Sequence, residues 1–135
     1  MKMTKVIYLA SPYSPVEKGL TEKQGDHIRH HRYNHITKIA SVLNEKYSYA
    51  FILPITMSHA TSLHSVDRLH SGFSHWARRD FAYISKCDEL WVALMPGWMK
   101  SIGVREEIKF ALKRKIKVRY LDVRHYKLYE IGDIQ

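Results

Sequence analysis

Four short segments with the character of strands alternate along this chain with longer segments of helical periodicity, and proline-containing turns close the first three. The strand segments span residues 6–10, 49–53, 89–95 and 116–123, and the first of them is apolar throughout. A strand that is apolar at consecutive positions is buried on both faces, which is typical of a parallel sheet covered by helices. The ligands of such sheets bind at the carboxyl ends of the strands.

The order of the elements predicts an α/β fold, a single-domain three-layer sandwich of flavodoxin or Rossmann type with a mostly parallel sheet of four or five strands. A chain of 135 residues holds one such domain, so we assign residues 1–135 to it. Helices are predicted at 26–44, with Asp26 as the N-cap, at 72–85, and from Ser101 or Gly103 to about 115. Residues 15–25 and 55–69 are predicted to be loops, and residues 126–134 to add a short strand or helix.

The charge balance favours anionic partners. Lysine and arginine number 22 against 13 acidic residues, a net charge of +9, which suits nucleotides, other phosphates or nucleic acid, but also serves solubility. Seven basic residues between Lys109 and Arg124 are compatible with a nucleic-acid surface or with a solvated helix end and a charged edge strand. We favour a small nucleotide over nucleic acid.

The single cysteine, Cys87, excludes an internal disulfide and is expected to be a buried apolar side chain. No apolar stretch approaches the roughly 18 residues of a membrane span, and residues 6–10 are too short for the core of a signal peptide. We therefore expect a cytoplasmic protein without a membrane partner.

The segment 96–108 connects a strand end to a helix start and is the most informative motif. Ser101 can cap the helix, Gly103 allows a ligand close to the backbone, and free N–H groups there suit phosphate. Glu107, three residues after Val104, lies beside the buried stripe of this helix, whereas Glu106 faces water. The residues alone leave Glu107 open as a catalytic carboxylate or an ordinary surface glutamate.

Residues 101–111, S-I-G-V-R-E-E-I-K-F-A, resemble the S-x-G-V-x-x-E-L-x-x-A signature of 2′-deoxynucleoside 5′-monophosphate N-glycosidases, in the nucleoside 2-deoxyribosyltransferase-like superfamily. Residues 8–13, Y-L-A-S-P-Y, resemble that superfamily's first strand and loop. Asp80, with C-D-E-L-W-V at 87–92, resembles its acidic segment before the third strand. The chain is also similar to small bacterial and phage proteins with Y-L-A-S-P-Y-S and P-G-W-x-x-S-x-G-V-x-x-E.

The resemblance implies a role for each matching residue. Glu107 would be the nucleophile that attacks C1′ of the sugar, Tyr8 would orient it, and Asp80 would help to protonate the leaving base. Ser101 stands where the monophosphate hydrolases hold the 5′-phosphate. The other candidate substrate contacts are Gly103, Ser11, Tyr13 and Trp98, of which Trp98 is equally compatible with a core position.

The expected function is therefore an N-glycosidase that cleaves the base–sugar bond of a nucleoside 5′-monophosphate through a covalent Glu107 intermediate. The alternatives are a nucleoside deoxyribosyltransferase and a non-catalytic protein that binds nucleotides or nucleic acid. The chemistry requires neither a metal nor another cofactor. The resemblance also implies a homodimer.

Two features depart from the family pattern. The loop at 11–15 lacks the arginine of the hydrolases, so the phosphate needs another cation, for which the candidates are Arg29, Arg32, His75, Arg78 and Lys100. Histidines are numerous, with His27, His31 and His35 at four-residue steps on one helix, more typical of a solvated face than of a zinc site. His59, His64, His70 and His75 are scattered in and beside the predicted loop, where one of them could reach a pocket, and none is assigned a catalytic role.

Overall fold

The computed structural model describes residues 3–64 and 73–130 of the chain, except for the side chains of residues 73–75. Five strands and four α-helices occur in these residues, with a 3₁₀ turn before the last helix. The strands are β1 Val6–Ala10, β2 Ala50–Ile52, β3 Glu89–Ala93, β4 Lys117–Asp122 and β5 Lys127–Tyr129. The helices are α1 Glu22–Lys46, α2 Pro54–Ser62, α3 Phe73–Ser85 and α4 Ile102–Lys113, and the 3₁₀ turn is Trp98–Lys100.

The strands form one sheet in the order β2-β1-β3-β4-β5. β1 to β4 are parallel, and β5 returns antiparallel beside β4. The predicted α/β class and mostly parallel sheet are confirmed, and β5 lies within residues 126–134, where a short strand or helix is predicted. Because β1 and β3 are central neighbours, their carboxyl ends bring residues 11–15 and 94–101 to the same edge.

Apolar side chains cover both faces of the sheet, so the chain has three layers. On one face, Ile7, Leu9 and Trp91 pack against Ile36 and Leu43 of α1. On the other face, the buried residues come from β1, β3, α3 and α4: Tyr8, Ala10, Leu90, Val92, Ile84, Val104 and Ala111. The alternation along β1 places Tyr8 on the face that α4 covers.

The first helix begins earlier than its hydrophobic stripe predicts. The N-cap is Thr21 rather than Asp26, and α1 starts at Glu22. The Thr21 hydroxyl accepts from the Gln24 amide at 3.1 Å, and the Gln24 side chain accepts from the Thr21 amide at 2.8 Å. This capping box stabilises a polar first turn that apolar periodicity does not detect.

The prediction of a loop at 55–69 is wrong for its first half, because α2 occupies Pro54–Ser62. Pro54 stands at the first helical position, where its missing N–H costs nothing. Polar contacts attach the helix to α1, including one of 2.8 Å between the hydroxyl oxygens of Thr37 and Thr56. Residues 65–69 of the predicted loop, and 131–134 of the predicted terminal element, lie outside the described residues. Within residues 3–64 and 73–130, no helix is long and apolar enough to cross a membrane.

Candidate active site

A tyrosine and a glutamate meet beneath the carboxyl edge of the sheet. Tyr8 has no exposed surface, and its hydroxyl donates a hydrogen bond to Oε2 of Glu107. Glu107 follows Val104 by three residues and precedes Ala111 by four, so its helix turns it toward the sheet with them. It is buried, with 6% exposed, so of the two possibilities that the sequence leaves open the ordinary surface glutamate is excluded. Glu106 is partly exposed and pairs with Lys109 at 3.4 Å, as predicted.

Asp80 is the third member of this group. It comes from α3 and is partly buried, and its carboxyl group shares hydrogen bonds with Glu107 and Tyr8. The structure thus brings together three residues that are 72 and 27 positions apart along the chain, from β1, α3 and α4. We refer to Tyr8, Asp80 and Glu107 as the carboxylate triad.

Burial controls the protonation of the triad. It raises the pKa of Glu107 well above the ordinary value, and the charge of Asp80 raises this pKa further. Burial also raises the pKa of Asp80, to about 6, against the opposing effect of its hydrogen bonds with Glu107 and Tyr8. The pKa of Tyr8 is raised by burial and then by the Glu107 charge, so Tyr8 remains a neutral donor. Near neutral pH the two carboxyl groups therefore retain one proton between them.

The raised pKa of Glu107 predicts how the stability of the fold depends on pH. A carboxyl group whose pKa is higher in the folded chain than in the unfolded chain stabilises the fold when it is protonated. This contribution is complete below the unfolded pKa, near 4.5, and is lost as pH rises through the folded pKa. Glu107→Gln has no such loss. We expect its melting temperature to equal that of the parent near pH 4 and to exceed it by several degrees at pH 8, at about 3–5 °C per kcal/mol.

Differential scanning calorimetry across this pH range measures the effect. Glu106→Gln, next to it at a partly exposed position, is the matched control for the loss of one negative charge. An advantage of Glu107→Gln that stays constant from pH 4 to pH 8, or shrinks, would contradict the prediction.

An open cavity of about 130 Å³ lies beside Asp80, between α2 and α3. Its lining residues are Pro54, Met57, Ser58, Thr61, Trp76, Arg79, Asp80 and Tyr83. The volume is below the ~300–1,000 Å³ of typical ligand pockets, so the cavity suits one group of a larger ligand. The residues that α2 contributes to this lining are not indicated by the sequence pattern, which predicts a loop there.

Ser101 and Gly103 lie at the start of α4. The Ser101 hydroxyl accepts a hydrogen bond from the Val104 amide at 3.3 Å, and Ser101 is buried, so the predicted N-cap is confirmed. Gly103 is in the first turn, where amides have no acceptor within their own helix. Trp98, which precedes them, is half-buried and packs on Tyr120 with ring centroids 5.7 Å apart. It is absent from the residues that line the cavity beside Asp80.

The β1–α1 loop contacts a histidine pair. The hydroxyl oxygen of Tyr13 lies 2.6 Å from Nδ1 of His59, and Nε2 of His59 lies 3.1 Å from Nδ1 of His30. Tyr33 stacks on His59, with ring centroids 4.4 Å apart. Burial lowers the pKa of His59, and His30 lowers it further, so this ring favours the neutral form. Ser11, in the same loop, is buried, and its Oγ has no hydrogen-bond partner among the described residues.

The remaining histidines and cations are spread over the surface. His27, His31 and His64 are exposed, and no group of three or more potential metal ligands occurs within the described parts of the chain. Arg78 and Lys100 are exposed, and the side chain of His75 lies outside the described residues. Cys87 is buried, as predicted, and burial raises its pKa to about 12.

Comparison with protein families gives one match. The family described as "Domain of unknown function (DUF1937)" matches residues 5–122, a range that includes the whole carboxylate triad and the start of α4. No curated protein matches the chain. The family description states no activity and does not name the nucleoside 2-deoxyribosyltransferase-like superfamily, so that resemblance stays a prediction.

Proposed function

The chain belongs to the DUF1937 family, and we propose that it is an N-glycosidase acting on a nucleoside 5′-monophosphate or a related nucleotide. The observation that carries this proposal is the buried hydrogen-bonded contact of Tyr8, Asp80 and Glu107 beside an open cavity. Two carboxyl groups that share one proton provide a nucleophile and an acid in one place. The sequence resemblance supports the same assignment of roles.

In the first step, the shared proton lies on Asp80, and a carboxylate oxygen of Glu107 attacks C1′ of the sugar while the bond from C1′ to the base nitrogen breaks. The bonding electrons leave with the base, and Asp80 transfers the retained proton to it. Positive charge develops on the sugar ring in the transition state, and the adjacent carboxylate stabilises it. The Tyr8 hydroxyl holds one oxygen of Glu107, which fixes the direction of the other.

In the second step, water attacks C1′ of the glycosyl ester. Asp80, now a carboxylate, accepts a proton from this water, and the ester bond to Glu107 breaks to regenerate its carboxylate. The pair again holds one proton, so the cycle closes without a metal or other cofactor. A second base in place of water gives the transferase reaction with the same residues.

The cavity beside Asp80 is suited to the base. Its walls combine flat and apolar side chains, Trp76, Tyr83 and Met57, with the hydroxyl groups of Ser58 and Thr61. The guanidinium of Arg79 lies 5.2 Å from the centroid of the Trp76 ring. A heterocycle in this cavity would be adjacent to Asp80, which the proton transfer requires.

The proposed reaction belongs in the cytoplasm, where its substrates occur, and we propose that the chain acts as a homodimer. Met57, which lines the open cavity, is 47% exposed, and Leu63, at the end of the same helix, is 57% exposed; a second copy would cover this apolar surface. Light scattering after size-exclusion chromatography tests the dimer, and a monomer at all concentrations would refute it.

The test of the reaction is product analysis by liquid chromatography. The protein is incubated with ribo- and deoxyribonucleoside 5′-monophosphates, the matching nucleosides and NAD. We expect free base from monophosphates. Base exchange between nucleosides would establish the transferase instead. Release of base from none of the substrates would refute catalysis on them and favour the nucleotide-binding alternative.

A further inference from the structure

Arg32 is a charged residue within the buried stripe of α1. It lies between Ile28 and Ile36 on the helix face directed at the sheet, and it is partly buried. Its NH1 group donates a hydrogen bond to the carbonyl oxygen of Tyr13 at 3.1 Å. The guanidinium is thereby anchored to the β1–α1 loop, at the edge where ligands of parallel sheets bind.

A second loop packs against the same guanidinium. Gly97, after β3, has a φ of +90°, and a Cβ placed on it would lie 2.6 Å from NH2 of Arg32. A side chain at position 97 would therefore collide with Arg32, and its backbone would be strained. Arg32 bridges the β1–α1 loop and the loop that leads to Ser101 and α4.

No carboxylate described in the structure forms an ion pair with Arg32. Burial lowers the pKa of Arg32, and Glu17 opposes this only through its more distant charge. Arg29, one turn earlier, contacts Asp26 and Ser14, each at 3.2 Å. Of the cationic candidates with described side chains, Arg32 thus combines partial burial with a missing ion-pair partner, which an anionic ligand would supply.

Ser11 supplies an independent observation at the same loop. It is 5% exposed, and its Oγ finds no hydrogen-bond partner among the described residues. It precedes Tyr13, whose carbonyl oxygen Arg32 binds, by two residues. Burial of a hydroxyl without a hydrogen-bond partner is unfavourable, and a ligand oxygen would supply the missing partner.

We propose that Arg32 and Ser11 form a binding site for a phosphate monoester between the two loops, with Gly97 as its floor. The guanidinium offers two parallel N–H groups to two phosphate oxygens, and Ser11 donates its O–H to an oxygen of the same group. That this phosphate is the 5′-phosphate of the substrate rests on the proposed function. The site would make the enzyme prefer nucleotides over nucleosides.

Binding of phosphate alone tests the site without turnover. Isothermal titration with inorganic phosphate and with ribose 5-phosphate compares the parent with Arg32→Gln and with Arg29→Gln, the matched control. We expect Arg32→Gln to bind both about 10–100-fold more weakly and Arg29→Gln to bind as the parent does. Equal binding by Arg32→Gln and the parent would overturn the site.

Two further variants protect the test against misfolding. Arg32→Lys keeps the positive charge and loses the paired N–H groups, and Gly97→Ala displaces the guanidinium with Arg32 still present. Both are expected to weaken phosphate binding, with an unchanged circular dichroism spectrum. Full affinity in both correctly folded variants would refute the proposed geometry.

Kinetics separate this inference from the proposed function. Arg32→Gln should raise KM for a monophosphate by about 10–100-fold more than it raises KM for the matching nucleoside, which has no phosphate. Arg32-dependent phosphate binding without any base release would support the site and refute the glycosidase. An equal loss on nucleoside and monophosphate would refute the phosphate assignment.

Discussion

Glu107→Gln should lower the rate of base release by at least about 10⁴-fold, because the amide cannot form the glycosyl ester. The substitution preserves the size of the side chain and an acceptor for the Tyr8 hydroxyl, so the buried contact is retained. Binding of substrate should change by less than about threefold, because the ester forms only after binding. Single-turnover kinetics with separated products measures the rate, and equilibrium titration measures binding.

Glu106→Gln is the matched control for this experiment. It removes the same charge from the neighbouring position, where the carboxylate is partly exposed and pairs with Lys109. We expect it to retain at least half of the parent rate. If Glu107→Gln keeps its activity, or if Glu106→Gln loses as much, Glu107 is not the nucleophile. Mass spectrometry of a denatured reaction mixture would locate the glycosyl group on the peptide that contains Glu107.

The sheet and three of the helices could be predicted because their residues follow recognisable patterns. Strand β1 is apolar throughout, β3 is apolar after Glu89, and α4 presents Val104, Glu107 and Ala111 on one face. This spacing places Glu107 beside the buried stripe but leaves an ordinary surface glutamate as an alternative. By contrast, α2 has no apolar stripe, because part of its contact with α1 is made by the polar side chains of Thr56 and His59. Hydrophobic periodicity therefore does not predict this helix.

The chemistry of the candidate site depends on contacts between distant residues, which sequence spacing does not reveal. Asp80 is recognisable by resemblance, but its hydrogen bond with Glu107 and its raised pKa arise from the packing of α3 against α4. Likewise, five cations were equal candidates for the phosphate. Arg32 stands out only when its lack of an ion-pair partner among the described residues is compared with the contacts of Arg29.

The contribution of Asp80 to the rate should depend on whether the base needs a proton in order to leave. Asp80→Asn cannot supply a proton, so we expect base release from ordinary nucleotides to fall by about 10²–10⁴-fold. A nucleotide of 7-methylguanine carries a base that is already cationic and leaves without a further proton. Its cleavage should fall by less than about tenfold. A similar loss on both substrates would mean that Asp80 acts only as a structural or electrostatic partner of Glu107.

The pH profile gives a second, independent measure of the same role. In the parent, the active form of the Asp80–Glu107 pair holds one proton. The pKa at which the pair binds a second proton is about 6, the value for Asp80. Activity should therefore fall as pH decreases below about 6, because Glu107 is then protonated together with Asp80. It should also fall at high pH, as the last proton leaves a pair in which burial raises the pKa of Glu107.

Asp80→Asn has no proton to donate, so its residual rate should lose the alkaline limb of the pH profile. A variant that kept the alkaline limb of the parent would show that this limb belongs to another group and that Asp80 is not the acid.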